Sequence, residues 1–417
     1  MNSLRGVSIR ESAVGANVAG DSREFGLLCC VQMTGAETAV PVLDGLYTFR
    51  RLSDAESVGI TPAFDIATGG HLHRHISEFY RRTGGGGRIL HVCVKDASVA
   101  GLQNEFVGYA KDLLIGSGGN ISDIAVAYQN IGSNVFFDGL AIGVSRSIPV
   151  LQGIAEWADE NDMPVHFILE GRDISRNLNA LADLRNFQVE GNLLEAQKVT
   201  VVIGQDRHYA ATRAEGSRGF ADVGTFLGNV ASQDWNRNPG EVATQNLTDV
   251  PRGNWLVGGL SNHKQYSEVY EALETLNEKG YVFPIRYQGT AGWFWNDGHT
   301  CTPIILDAAG NINQHAIYLS HTIDMSKRAL RQAFMPEVKK PVELEEGKIT
   351  QDMVDYFNAL GDNAFGMLAG RSLISDGKTD VSPDSDLLIA KVLDVQFAVI
   401  PTGMVNEIIG VINLRSN

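Results

Sequence analysis

Long apolar runs are missing from this 417-residue chain. None reaches the roughly 18 residues that a membrane-spanning helix needs, so no transmembrane segment is expected. The opening Met-Asn-Ser-Leu-Arg-Gly-Val-Ser-Ile-Arg lacks the apolar block of a secretory signal peptide. Cysteine is scarce, and Cys29, Cys30, Cys93 and Cys301 do not fall at metal-ligand spacings. Adjacent Cys29 and Cys30 lie in an apolar, strand-like run, which suits buried thiols in a reducing cytoplasm. Positive charge is also short: 34 Lys and Arg against 49 Asp and Glu leave a net charge of -15. That balance argues against a general nucleic-acid or anionic-membrane binder, while leaving room for a local basic face. No internal repeat is evident.

What remains is an ordinary globular composition, 44% apolar and 20% charged. It can supply a sizeable core, and the length predicts two or three domains. Residues 1–24 are polar and Gly-containing, with a short alternating segment around Leu4 to Ile9 that reads as an arm. Apolar runs at 25–33, 89–94, 124–128, 165–169 and 199–203 read as buried strands. Helical patterns at 71–82, 99–114, 147–161 and 220–231 lie between them. Strands alternating with helices of that length predict an α/β region with a largely parallel sheet over 25–265. Residues 239–262, rich in Gly, Pro and Asn, read as loop.

The last third, 266–417, reads as a separate core domain. Helices are expected over 268–279, closed by Gly280, and over 322–334, carrying Lys327, Arg328 and Arg331. A charged linker, 336–347, holds two prolines. Thr350 then caps an amphipathic helix through Met353, Phe357, Leu360, Ala364 and Met367, which Gly361 and Gly366 weaken, so packing must hold it. Two β-branched runs close the chain around Pro401-Thr402-Gly403. In the first, Leu393, Val395, Phe397 and Val399 share one face. An apolar run ending almost at the terminus must pair inside the subunit or offer its edge to another chain.

That order of elements, a Lys/Arg-bearing helix, linker, amphipathic helix and terminal β-hairpin around a Pro-x-Gly turn, resembles the C-terminal core of contractile tail sheath proteins. Phe79-Tyr80, Gly84 to Gly87 and the strand after them resemble a further segment of that family. So do Val201 to Asp206 and Trp235 to Gly240. Trp293 to Thr302 is similar to its aromatic-Gly-Arg-Thr segment, with His299 where an Arg is usual. The resemblance implies a tail-sheath-like multidomain α/β (α+β) fold: a mixed-sheet C-terminal core, an α/β middle domain and extended terminal arms. It also implies a structural subunit, not an enzyme, that stacks as hexameric rings around an inner tail tube protein and meets baseplate and tail terminator proteins. No cofactor, nucleic acid or membrane insertion is implied. Assembly would take place in the bacterial cytoplasm, and the product would be the virion tail. The arms would pair with neighbouring subunits through Val7 and Ile9 at one end and Val405, Ile408, Val411, Ile412 and Leu414 at the other.

Catalytic patterns are weaker. The four glycines at 84–87 follow a helix and precede a strand, the reverse of a phosphate cradle, and read as a turn. His71, His73, His75 and Glu78 put two histidines at i, i+4, but the HExxH pattern is absent and a satisfied histidine face is expected. Gly143 to Ser147 lacks the closing glycine of a nucleophile elbow. Asp376, Asp380, Asp384 and Asp386 miss the EF-hand spacing and read as hairpin-loop residues. Lys327, Arg328 and Arg331 form either a solvated face or, by the resemblance, a contact for an acidic inner tube. Trp293 to Trp295 read as core, with an exposed patch as the alternative. Two other readings stay open: an oligomeric α/β enzyme with a polar pocket near Gly204-Gln205-Asp206 or the His71 cluster, and a tail-terminator or baseplate component.

Overall fold

The computed structural model describes residues 23–31, 45–96, 102–129 and 136–412. Six strands make its central sheet: β1 (Glu24–Val31), β2 (Leu46–Phe49), β3 (Leu90–Asp96), β4 (Ile121–Tyr128), β5 (His166–Glu170) and β6 (Val199–Val202). They lie in the order β6-β5-β4-β1-β3-β2, parallel throughout except for β2, which runs antiparallel at one edge. Residues of β1 alternate between two cores. Phe25, Leu27, Cys29 and Val31 enter one, while Leu28 and Cys30 enter the other. Burial on both faces is why the central strands read as unbroken apolar runs.

Four helices cover the faces: α1 (Leu72–Arg82), α2 (Leu102–Gly116), α3 (Ile142–Glu160) and α4 (Val223–Ala231). The pair α1 and α4 closes one core, and α2 and α3 close the other. Gly224 and Gly228, one turn apart on α4, let it press onto α1. A Cβ at Gly228 would stand 3.0 Å from Phe79 Cα, and one at Gly224 would overlap the His75 backbone. Each expected strand run is in the sheet. The four residues of β2 were missed because one polar residue among four gives no period to read. Helix α3 begins five residues before the position its pattern suggests.

Residues 266–301 do not change core where the sequence boundary falls. Val269, Leu276, Tyr281, Phe283 and Cys301 pack with α2 and α3. Val282 bridges parallel to Val202 at the free side of β6. Trp293, Phe294 and Trp295 are buried, as the core reading expects. The separate C-terminal core comprises α5 (Ile317–Phe334), α6 (Gln351–Gly370), β7 (Asp376–Val381) and β8 (Val395–Ile400) around Leu330, Phe357, Phe365 and Leu368. Leu393, Val395, Phe397 and Val399 face it together. Gly361 admits Thr379 of β7 where a Cβ would collide, whereas Gly366 faces open space.

The final hairpin differs from expectation. β8 pairs antiparallel with β7, not with the run after Pro401. Asp376 and Asp380 therefore lie in a strand, while Asp384 and Asp386 lie in the loop that joins the two.

Candidate assembly surface

Residues 401–412 belong to no strand or bridge and run along the surface. Val405, Ile408, Ile409, Val411 and Ile412 are 78–94% exposed. Five large aliphatic side chains in eight residues is a concentration that a soluble surface does not ordinarily carry uncovered. The root of this arm is fixed. Asn236 Nδ2 donates to Thr402 Oγ1 at 3.0 Å and to Ser372 O at 2.9 Å, and Ser375 Oγ donates to Pro401 O. Asn406 Nδ2 donates to Asp297 Oδ2 at 3.1 Å, and Asp297 is itself held by Asn238 and the Gly298 amide. Beyond Asn406 the described chain continues without such ties.

Among the described residues, the sheet beside this root has one closed edge and one open edge. On β7, the amides of Thr379 and Val381 point away from β8. Asp362 Oδ1 and Asn358 Oδ1 of α6 accept them at 2.7 and 2.9 Å. Antiparallel alternation then places the backbone groups of Val395, Phe397 and Val399 on the outer side of β8. The Asn358 and Asp362 caps, one helical turn apart, were not foreseen, because an Asn/Asp pair on a helix looks the same in sequence whether it caps a strand or faces water. The hairpin tip was missed as well. Asp386 accepts the Ile389 and Ala390 amides, which shapes a compact turn presenting Leu388 and Ile389 to solvent.

Of the expected interface residues, Val405, Ile408, Val411 and Ile412 lie on the exposed arm, whereas Val7, Ile9 and Leu414 fall outside the described residues. The basic helix requires correction. Lys327 is 5% exposed and pairs with Asp159 at 2.5 Å. Arg331 pairs with Asp162 at 2.8 Å, and Arg328 Nη2 donates to Ile121 O and Pro164 O. All three reach partners on the α/β domain; Lys327 is buried, and Arg328 and Arg331 are half-buried. Asp159 precedes Lys327 by 168 residues, a separation beyond the reach of any local pattern.

His71, His73 and His75, at the start of α1, are buried and do not converge. His71 Nε2 bonds Ser217 O at 2.8 Å and its ring stacks on Phe220. His75 Nδ1 accepts the Gly224 amide, and His73 meets Glu56. Glu78 is engaged by Arg81 and Thr225. Among the described residues no group of three or more His, Cys, Asp or Glu could hold a metal ion. Cys29, Cys30, His71, Tyr128, Glu170 and Arg172 line a cavity of about 10 Å³ at the carboxyl ends of β1, β4 and β5. Ligands of open α/β sheets bind at that place, but this volume admits about one water. Burial, partly offset by Arg172, pushes Glu170 up to about 7. The glycines after α1 make a turn, with positive φ at Gly84, Gly85 and Gly87. Ser145 lies inside α3, its hydroxyl donating to Ile142 O. Among the described residues no helix is long and apolar enough to cross a membrane.

No curated protein matches this sequence. Residues 7–299 match the family model described as the DUF2586 N-terminal domain. Among solved structures, the helical sheath of the anti-feeding prophage in its contracted state is similar, with a TM-score of 0.56 over 99% of each chain at 14% identity. The chain therefore belongs to the DUF2586 family, and its multidomain α/β fold is that of a contractile tail sheath subunit.

Proposed function

We propose that this chain is the structural subunit of a contractile sheath, polymerising as stacked hexameric rings around an inner tube and contracting to drive that tube through a target envelope. The observation that carries the reading is the arm: Val405, Ile408, Ile409, Val411 and Ile412 are exposed and in no strand, beside a C-terminal sheet that keeps one edge open among the described residues. An arm from one copy adds to the β8 edge of another, with backbone bonds supplying affinity and alternate side chains supplying register. Six ladder bonds at about 1 kcal/mol net each give a linkage that survives rigid-body movement of the subunits. Val7 and Ile9 act in the same way at the other end of the chain. The inner tube, baseplate and terminator proteins are the remaining partners, and the tail is the place of action. The sheath-like fold over almost the whole chain supports this reading.

Negative-stain microscopy of the concentrated full-length protein tests it. Hollow cylinders are expected. Discrete rings that never stack would favour a terminator or baseplate part, and small closed oligomers the enzyme reading.

A further inference from the structure

The two cores of this protein meet through charge. Helix α5 starts with Ile317 in the α/β core and ends with Leu330 and Phe334 in the C-terminal core. Between them, its underside lies across the amino ends of β4, β5 and β6. His321 Nε2 sits 2.6 Å from Asp123 Oδ1 on β4. Asp324 Oδ1 sits 2.5 Å from Lys198 Nζ, just before β6, and that ammonium also donates to Ser320 Oγ. Lys327 and Arg331 reach Asp159 and Asp162 at the end of α3, and Arg328 donates to the Ile121 and Pro164 carbonyls. His166 of β5 is fully buried in the middle, its two ring nitrogens bonded to Ser320 and Thr200. This layer is held by paired charges, beside the apolar contact of Trp235 with the C-terminal core. Its contribution to stability is small when intact and is lost sharply when one partner changes.

We propose that this layer is an acid-sensitive joint: the C-terminal core undocks from the α/β domain as a unit, pivoting near Ile317, while both apolar cores stay folded. The trigger is His166. It is faced by Asp123 and His321, by Lys198, and through Ser320 and Lys198 by Asp324; Trp235 closes the site over the His321 ring. A proton on His166 would place a buried cation beside Lys198 and the His321 ring, where Asp324 and Asp123 already have partners. Burial first, and the charge of His321 second, hold the docked His166 well below the ordinary histidine range. The undocked imidazole titrates near 6.5. Docking is therefore fully stabilised above that value and is lost as pH falls below it. Asp159, raised by burial, works in the opposite sense, and Asp123 is held at about 2, outside this window. The bonds of Asn236 and Asn406 beside the joint limit how far it opens.

Hydrogen–deuterium exchange of the full-length protein, corrected for intrinsic rates, tests the joint between about pH 8 and about pH 5.5. Peptides covering 317–331, 121–123 and 164–166 are expected to gain exchange by about tenfold per pH unit below 6.5. Those of β1 and α6 should hold constant. His166→Gln, which keeps a polar side chain but binds no proton, should abolish the pH response. Lys327→Asp should open the joint at neutral pH, and adding Asp159→Lys should close it again. The joint is refuted if α5 exchanges in step with β1 at every pH, if His166→Gln retains the full response, or if the charge swap fails to restore protection.

Discussion

Asp362 on α6 accepts the amide of Thr379 on β7 at 2.7 Å, and with the Asn358 bond to Val381 it closes the outer edge of β7. A helix side chain occupies the position that a partner strand's carbonyl would otherwise take, so the proposed strand addition would fall to β8.

Removing the cap should show both effects. Asp362→Ala or Asn358→Ala leaves a buried β7 amide without its acceptor, at a cost of about 1–3 kcal/mol. The double variant exposes a second edge. A lower midpoint in thermal melts and more light scattering on standing are expected; unchanged scattering would mean the edge is protected by other means.

The arm should be separable from the fold. Deleting residues 408–417 should leave a cooperative melt and abolish cylinders in negative stain. Ile408→Lys with Ile412→Lys should do the same in a full-length chain, because a charge cannot be buried at a partner's apolar face. Regular tubes from either variant would overturn strand exchange at this end.

Two glycines should respond in opposite directions. Gly224→Ala forces α4 off the His75 backbone and should destabilise by about 1–3 kcal/mol. Gly366→Ala adds a methyl in open space within a helix and should stabilise by about 0.5–1 kcal/mol. Denaturant midpoints of the unassembled protein read both.

Buried carboxyls should make stability fall toward neutrality. Glu170 and Asp65 are both pushed up to about 7 by burial. The unfolded chain ionises them near the usual carboxylate range, so their contribution is complete at low pH and declines as pH rises toward 7. Each carboxyl that stays protonated only in the folded chain tilts stability by about 1.4 kcal/mol for every pH step of one. Glu170→Gln should flatten part of that slope in urea melts across the interval.

The four buried thiols should resist alkylation in the native state. Burial pushes Cys93 and Cys301 up to about 12 and Cys29 well above the ordinary thiol range, and the thiolate is the reacting species. Maleimide labelling should appear only as denaturant unfolds the sheet.

The parallel sheet was legible because each of its central strands is apolar on both faces, and such runs announce themselves. The helices over 71–82 and 351–370 were legible from their period. Two things were not. The pairing of β8 with β7 was hidden because Asp376 to Val381, with Asp, Gly, Lys and Asp in six positions, looks like a loop; it becomes a strand through Gly377, where the Phe365 ring leaves no room for a Cβ. The basic run on α5 looked solvated because its partners, Asp159 and Asp162, are distant in sequence. Local pattern reports periodicity well; it does not report which distant charge a side chain will meet.

The fixed root of the arm also has a mechanical meaning. A pull on the arm along the axis of β8 loads the six register pairs with β7 together, in shear, instead of peeling them one after another. Asn236 and Asp297 grip Thr402 and Asn406 ahead of those pairs, so the first strain passes into the α/β domain. Tension from a neighbour is thereby divided between two bodies of the same chain, and the hairpin is spared the whole load.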